Sequence, residues 1–144
     1  MRLKMEKFSV LISIYKKENP DWFREALDSV FAQTLQPTEI VLIEDGPLTP
    51  ELYAVIDEYK ERYPIFNIVK NETNLGLGLA LRNGVEASRT EFLARMDTDD
   101  IAKPKRFEKQ LKVFQKYPDI DVVGAWIDEF EGTPQNIIST RKLP

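Results

Sequence analysis

The sequence contains no cysteine and no histidine among its 144 residues. Without cysteine there is no disulfide, no thiolate nucleophile and no redox pair. Without imidazole there is no Ser-His-Asp or Cys-His machinery, and a zinc site of the usual Cys/His kind is excluded. Any metal bound here must be held by oxygens, which favours Mg²⁺, Mn²⁺ or Ca²⁺. Long apolar runs are also missing, since none approaches the roughly 18–20 residues a membrane-spanning helix needs. Nor is there a surplus of positive charge: 20 Lys+Arg stand against 24 Asp+Glu, a net charge of −4. With a pI of about 5.0, the chain does not read as a nucleic-acid binder working through a broad basic surface. The first residues, Met1 to Lys7, are charged and lack the apolar segment and cleavage site of a signal peptide, so a cytoplasmic location is expected.

What is present describes one α/β domain. Hydrophobic residues make up 42% and charged residues 31%, enough apolar material for a single core at a length of about one domain. Phe8 to Tyr15 is a short apolar, β-branched run typical of a buried strand. Asn19 then caps a helix with Pro20 at its first position, and Trp22, Phe23, Ala26, Leu27, Val30 and Phe31 recur at helical spacing to about Thr34. Glu39 to Ile43 reads as a second strand, and Thr49-Pro50 repeats the cap-then-proline signal before a second helix. The same beat predicts a strand at Phe66–Lys70, a helix at Leu77–Ala87, a strand at Phe92–Met96, a helix at about Pro104–Tyr117 and a fifth strand at Asp121–Trp126. Continuous apolar strands separated by helices imply parallel βαβ units with helices on both faces of the sheet. Past Glu131 the pattern loosens: Gly132-Thr133-Pro134 is turn chemistry, and Ile137-Ile138 is too short to assign alone.

Ligands of open α/β sheets gather at the carboxyl ends of the strands, near a change in strand order. Those ends are where carboxylates concentrate: Glu44-Asp45-Gly46 after the second strand and Asp97-Thr98-Asp99-Asp100 after the fourth. Adjacent carboxylates repel, and a hard divalent cation relieves the repulsion while leaving positions open for phosphate oxygens. Mg²⁺ or Mn²⁺ with a nucleoside diphosphate fits this composition, and Arg82, Arg95, Lys103, Lys105 and Arg106 are near enough in sequence to offset phosphate charge. The competing reading is a solvated acidic turn that caps the next helix. Asp45 is an acceptor-only group that can take a hydrogen bond from a ribose hydroxyl or a base N–H, or it can simply form an Asp-Gly turn. Tyr15 can stack on a base, with core packing as the default.

Other motifs are weaker. An EF-hand requires glycine at the sixth loop position, which this segment does not supply. The Asp-x-Asp of haloacid-dehalogenase-like phosphatases follows the first strand, whereas this one follows the fourth. Gly76-Leu77-Gly78 lacks the third glycine of a dinucleotide fingerprint and follows the third strand. Its glycines read better as a tight turn with close helix packing. A sugar nucleotidyltransferase would carry a glycine-rich basic loop after the first strand; Tyr15-Lys16-Lys17-Glu18-Asn19 has the lysines without the glycine.

Taken in order, several segments resemble the inverting glycosyltransferases of family 2, which have the GT-A fold. They are Val10–Tyr15, Ala26–Thr34, Ile40–Gly46, Asn74-Leu75-Gly76, Arg82-Asn83-Gly84, Glu91–Asp100, Pro104 and Arg106. The likeness runs from about Phe8 to about Phe130 and is nearest to the bacterial exopolysaccharide and lipopolysaccharide branch, including amylovoran-type transferases. It implies a Rossmann-like, mostly parallel α/β sheet and transfer of a sugar, with inversion, from a nucleoside-diphosphate sugar, UDP being the expected nucleotide. The acceptor would be a hydroxyl of a saccharide or lipid-linked acceptor, and the protein would be cytoplasmic or peripheral to the inner face of the membrane. By resemblance, Ser13 and Tyr15 line the nucleoside pocket, Asp45 reads the base, Asp97 and Asp99 form the Asp-x-Asp signature that holds Mn²⁺ or Mg²⁺, and Arg82 supports the site. Gly46-Pro47 departs from the family, which more often has a small polar residue there. The resemblance also implies that residues 1–144 are the donor-binding, N-terminal portion of a longer transferase whose catalytic base lies beyond Pro144. A non-catalytic nucleotide-binding module on the same fold is the alternative.

Overall fold

The computed structural model of the chain describes residues 6–142. Met1–Met5 of the charged start, and Pro144, lie outside the described residues. The elements are β1 (Phe8–Ile14), α1 (Pro20–Phe31), β2 (Glu39–Asp45), α2 (Pro50–Arg62), β3 (Phe66–Asn71), α3 (Leu77–Ala87), β4 (Phe92–Arg95), α4 (Arg106–Lys116), β5 (Ile127–Phe130) and β6 (Ile137–Arg141). The cap signals act as expected. The Asn19 side chain accepts from the N–H groups of Asp21 and Trp22 at 2.9 and 3.2 Å, and Thr49 Oγ1 accepts from Leu52 N–H at 3.3 Å.

Four strands form one parallel sheet in the order β3-β2-β1-β4. β1 and β2 are its centre, and almost every residue of both is buried, which is why they read as unbroken apolar runs rather than as alternation. Val10, Ile12, Ile14, Ile40 and Leu42 face a core completed by α1, α2 and α4 through Phe23, Leu27, Leu52, Tyr59, Phe107 and Leu111. Leu11, Val41 and Ile43 face the opposite side, against Ala80 of α3. Helices therefore cover both faces, as the pattern predicts. Connections β1-α1-β2 and β2-α2-β3 step one way; β3-α3-β4 then crosses back to the far side of β1. The strand order reverses between β1 and β4, and the carboxyl edge at such a reversal is where open α/β sheets bind their ligands.

The amino edge is closed by a buried polar knot. Glu39 accepts from Ser9 Oγ at 2.8 Å, Arg89 N–H at 2.6 Å, Ser88 Oγ at 3.3 Å and Asn67 Nδ2 at 3.2 Å. It ties β1, β2, β3 and the α3–β4 connection together. Burial alone would raise its pKa, but these donors outweigh it and hold the carboxyl below its ordinary value.

Three expectations are corrected. The strand predicted at Asp121–Trp126 is not one: the segment has no regular structure, and Val122 is 84% exposed. A strand exists only with a ladder partner, and the pairing in this region goes instead to the antiparallel hairpin of β5 and β6 around the Gly132-Thr133-Pro134 turn. Trp22 lies off the buried face of α1, 56% exposed. Of the glycines near α3, Gly76 adopts φ +91° in the turn as expected, but Gly78 has nothing within 4 Å of a built Cβ. Close packing belongs to Gly84, whose Cβ would meet Ile43 Cδ1 and Leu11 Cδ1 at 2.5 Å.

Candidate functional site

Asp97, Asp99 and Asp100 follow β4 on the side of the strand-order reversal, and a carboxylate oxygen from each lies within 4.8 Å of the others. The loop is rooted by Met96 N–H on Leu11 C=O at 3.0 Å and by Thr98, which is buried. Arg95 Nη2 donates to Asp97 Oδ1 at 3.2 Å. Among the described residues no hydrogen bond or ion pair engages the side chain of Asp99 or Asp100. The Asp100 carboxyl is pushed above its ordinary value, first by burial and then by the charges of Asp97 and Asp99, while Arg106 and Arg95 oppose the shift. Half-buried Arg106 stands behind the loop, donating from Nη2 to Arg95 C=O at 2.9 Å and from Nε to Gln110 Oε1 at 3.1 Å. Three convergent carboxylates with unused lone pairs are an oxygen donor set that suits a hard divalent cation.

Asp45 ends β2, two strands from Asp97 in the sheet, a separation of about 10 Å at ordinary strand spacing. It is buried, and its carboxylate is already engaged. Oδ1 accepts from Asn71 Nδ2 at 3.0 Å and Leu75 N–H at 2.8 Å, and Oδ2 accepts from Gly76 N–H at 3.1 Å. Asn83 Nδ2 in turn donates to Asn71 Oδ1 at 3.1 Å. Asp45 thus organises the Asn74-Leu75-Gly76 turn, with part of the acceptor capacity of Oδ2 remaining for a ligand. Gly46, at φ +89°, lets the two loops meet, because a Cβ there would sit 2.9 Å from Asn74 N. The Asp-Gly turn and the acceptor role are therefore compatible.

The remaining expected residues divide. Ser13 is half-buried near the end of β1, opposite Ile43 in register. Tyr15 just beyond it is 37% exposed, so core packing, the default for this side chain, does not hold. Arg82 is largely exposed and pairs with Glu86 one turn on at 3.4 Å, while its neighbour Asn83 joins the Asp45 network. Sequence reasoning assigned no role to Asn71 or Asn83, nor to Ser29 and Gln33 on the far side of the acidic loop. The asparagines carry a weak signal, being polar residues at a strand end and on the inner side of a helix.

A parallel α/β sheet with carboxylates converging at its switch point defines a Rossmann-like domain of the kind that holds phosphate-bearing ligands at its carboxyl edge. The chain belongs to glycosyl transferase family 2, whose sequence profile matches residues 9–142. It is 46% identical over 124 residues to the amylovoran biosynthesis glycosyltransferase AmsE of Erwinia amylovora, covering 86% of this chain and 46% of that protein. It is 38% identical over 138 residues to an Escherichia coli UDP-Gal:alpha-D-GlcNAc-diphosphoundecaprenol beta-1,3-galactosyltransferase, covering 96% of this chain and 50% of that protein. An uncharacterized glycosyltransferase of Haemophilus influenzae is 44% identical over 138 residues, covering 96% of this chain and 51% of that protein. The chain thus spans about half the length of the curated relatives it matches. In fold it is similar to S. aureus TarS residues 1–349, solved with UDP, with a TM-score of 0.67 and 22% identity over 78% of this chain and 33% of that one. That is the GT-A fold. Among the described residues no helix is long and apolar enough to cross a membrane.

Proposed function

We propose that this chain is the donor-binding part of a metal-dependent, inverting glycosyltransferase that moves a sugar from a UDP-sugar to an acceptor hydroxyl in bacterial surface polysaccharide synthesis. The observation that carries the reading is the convergence of Asp97, Asp99 and Asp100 at the switch point of the sheet in a chain of this family. Asp97 and Asp99 would hold Mn²⁺ or Mg²⁺; when bound, the cation supplies Lewis-acid stabilisation of the departing diphosphate. The protein's own residues do the positioning. Asp45 offers Oδ2 to the base, Ser13 and Tyr15 border the nucleoside, and the roughly 10 Å between β2 and β4 suits a ligand with its base at one end and its diphosphate at the other. Arg82 reaches the donor only if its pair with Glu86 opens. A uridine donor and a lipid-linked acceptor are supported by the E. coli relative, whose name states both. The general base that deprotonates the acceptor is assigned to the half of the relatives' length that this chain does not span, so residues 1–144 bind donor without turning it over, at the cytoplasmic side of the membrane.

Calorimetry tests this directly. UDP should bind more tightly with Mn²⁺ than with EDTA, and Asp99→Asn should weaken the metal-dependent binding at least about tenfold. Equal affinity with and without metal, or in the variant, would sink the assignment.

A further inference from the structure

The helix that follows the acidic loop has no cap of its own. Lys105, at the N-cap position of α4, makes no side-chain cap bond. The bond comes from another element: Gln33, just past the end of α1, accepts from Phe107 N–H through Oε1 at 3.2 Å. The same side chain donates through Nε2 to Lys103 C=O at 2.7 Å and more weakly to Ala102 C=O at 3.4 Å. Ser29 Oγ accepts from Ala102 N–H at 3.0 Å while donating to Ala26 C=O at 2.7 Å, and Thr34 N–H donates to Pro104 C=O at 2.8 Å. Gln33 is 5% exposed and Ser29 is 9% exposed. Buried polar groups at the end of one helix therefore satisfy the backbone of Ala102–Phe107 some 70 residues away in sequence. On its other side the loop is fixed by Met96 on β1 and by Arg106 on Arg95 C=O. Only Asp97 to Ile101 lies between these two anchors.

We infer that Gln33, supported by Ser29, is a positioning residue for the carboxylates of Asp97, Asp99 and Asp100: it anchors the chain behind them so that they converge before a ligand arrives. This rests on the metal reading above. The physical gain is preorganisation, because a loop pinned at both ends has less conformational freedom to lose when a cation orders it. Side chains that orient metal ligands without touching the metal commonly matter for affinity in this way.

The test compares UDP affinity with Mn²⁺ and with EDTA, well below the melting temperature of each variant. Gln33→Met, similar in shape but unable to make these bonds, should cut the Mn²⁺-dependent gain about tenfold and leave UDP binding in EDTA nearly unchanged. Ser29→Ala should reduce the gain in the same direction by less. Glu39→Gln, which loosens the knot at the opposite edge of the sheet, should lower the melting temperature without moving the gain. If Gln33→Met lowers stability while the Mn²⁺ gain stays at the wild-type value, the positioning role is overturned and only a structural one is left. If Gln33→Met does not fold, Ser29→Ala decides: an unchanged gain there overturns the inference. A wild-type chain with no Mn²⁺ gain at all fails a different claim, the metal reading, and removes what the clamp would position.

Discussion

Alanine at Gly84 and alanine at Gly78 should change stability in opposite directions, although both sit on α3. Each substitution gains about 0.5–1 kcal/mol from helix propensity. At Gly78 nothing lies within 4 Å of the new Cβ, so that gain survives. At Gly84 the Cβ meets Ile43 Cδ1 and Leu11 Cδ1 at 2.5 Å and Ile43 Cγ1 at 2.9 Å. Ordinary contact needs about 1 Å more, and both side chains are buried in the packed face between α3 and the sheet. Overpacking of this kind costs about 1–3 kcal/mol, which outweighs the propensity gain. The net is about 1 kcal/mol destabilising for Gly84→Ala, a fall of about 3–4 °C in a chain of this size, and a rise of about 2 °C for Gly78→Ala. Thermal melts followed by circular dichroism read both. Ile43→Val removes Cδ1, the nearest Ile43 atom, so the pair Gly84→Ala/Ile43→Val should be less destabilised than the two single changes add up to. A melting temperature for Gly84→Ala at or above wild type would refute the claim that this glycine sets the distance of α3 from the sheet.

Two further outcomes follow from the buried carboxylates. Asp45→Asn turns one acceptor oxygen into a donor facing Asn71, Leu75 or Gly76; it should cost about 2–3 kcal/mol in urea unfolding and weaken UDP binding, and an unchanged urea midpoint would show that the turn is not built on Asp45. Glu39 is held below its ordinary 4.5 in the folded chain, so the unfolded chain takes up the proton first as pH falls. Its contribution is therefore complete above about pH 5 and is lost as pH drops through the folded value. Glu39→Gln should cost about 2 kcal/mol at pH 7 and flatten the acid limb of a plot of urea midpoint against pH; parallel limbs in the two proteins would contradict this.

Features that depend on neighbours in the chain are the ones the sequence makes legible. Asn19-Pro20 and Thr49-Pro50 start helices because the cap acts within three residues, and α3 runs from Leu77 to Ala87 as its spacing predicts. What is hidden depends on distant partners. Asp121–Trp126 has strand-forming residues and no strand, because nothing in the segment says whether an edge will be there to pair with. Gly78 and Gly84 look alike in sequence, and only the sheet beneath α3 distinguishes them. Asp45 reads as a turn former or a ligand acceptor, and its three donors come from residues 26 to 31 positions away.

The acidic loop shows why that distinction matters for function. Residue types alone favour a ligand site at Asp97 to Asp100 but leave open a cap for the following helix, since carboxylates suit both positions. The choice turns on Gln33, which accepts from the α4 backbone at Phe107 and so does the work a capping aspartate would do. With the helix end satisfied from α1, the side chains of Asp99 and Asp100 make no hydrogen bond or ion pair among the described residues, and the charges of Asp97 and Asp99 act against Asp100 while Arg106 and Arg95 counter them. Carboxylates held together in this way suit the cation proposed above, and the side chain that caps α4 in their place lies just past the end of α1, where sequence proximity would never connect it to the site.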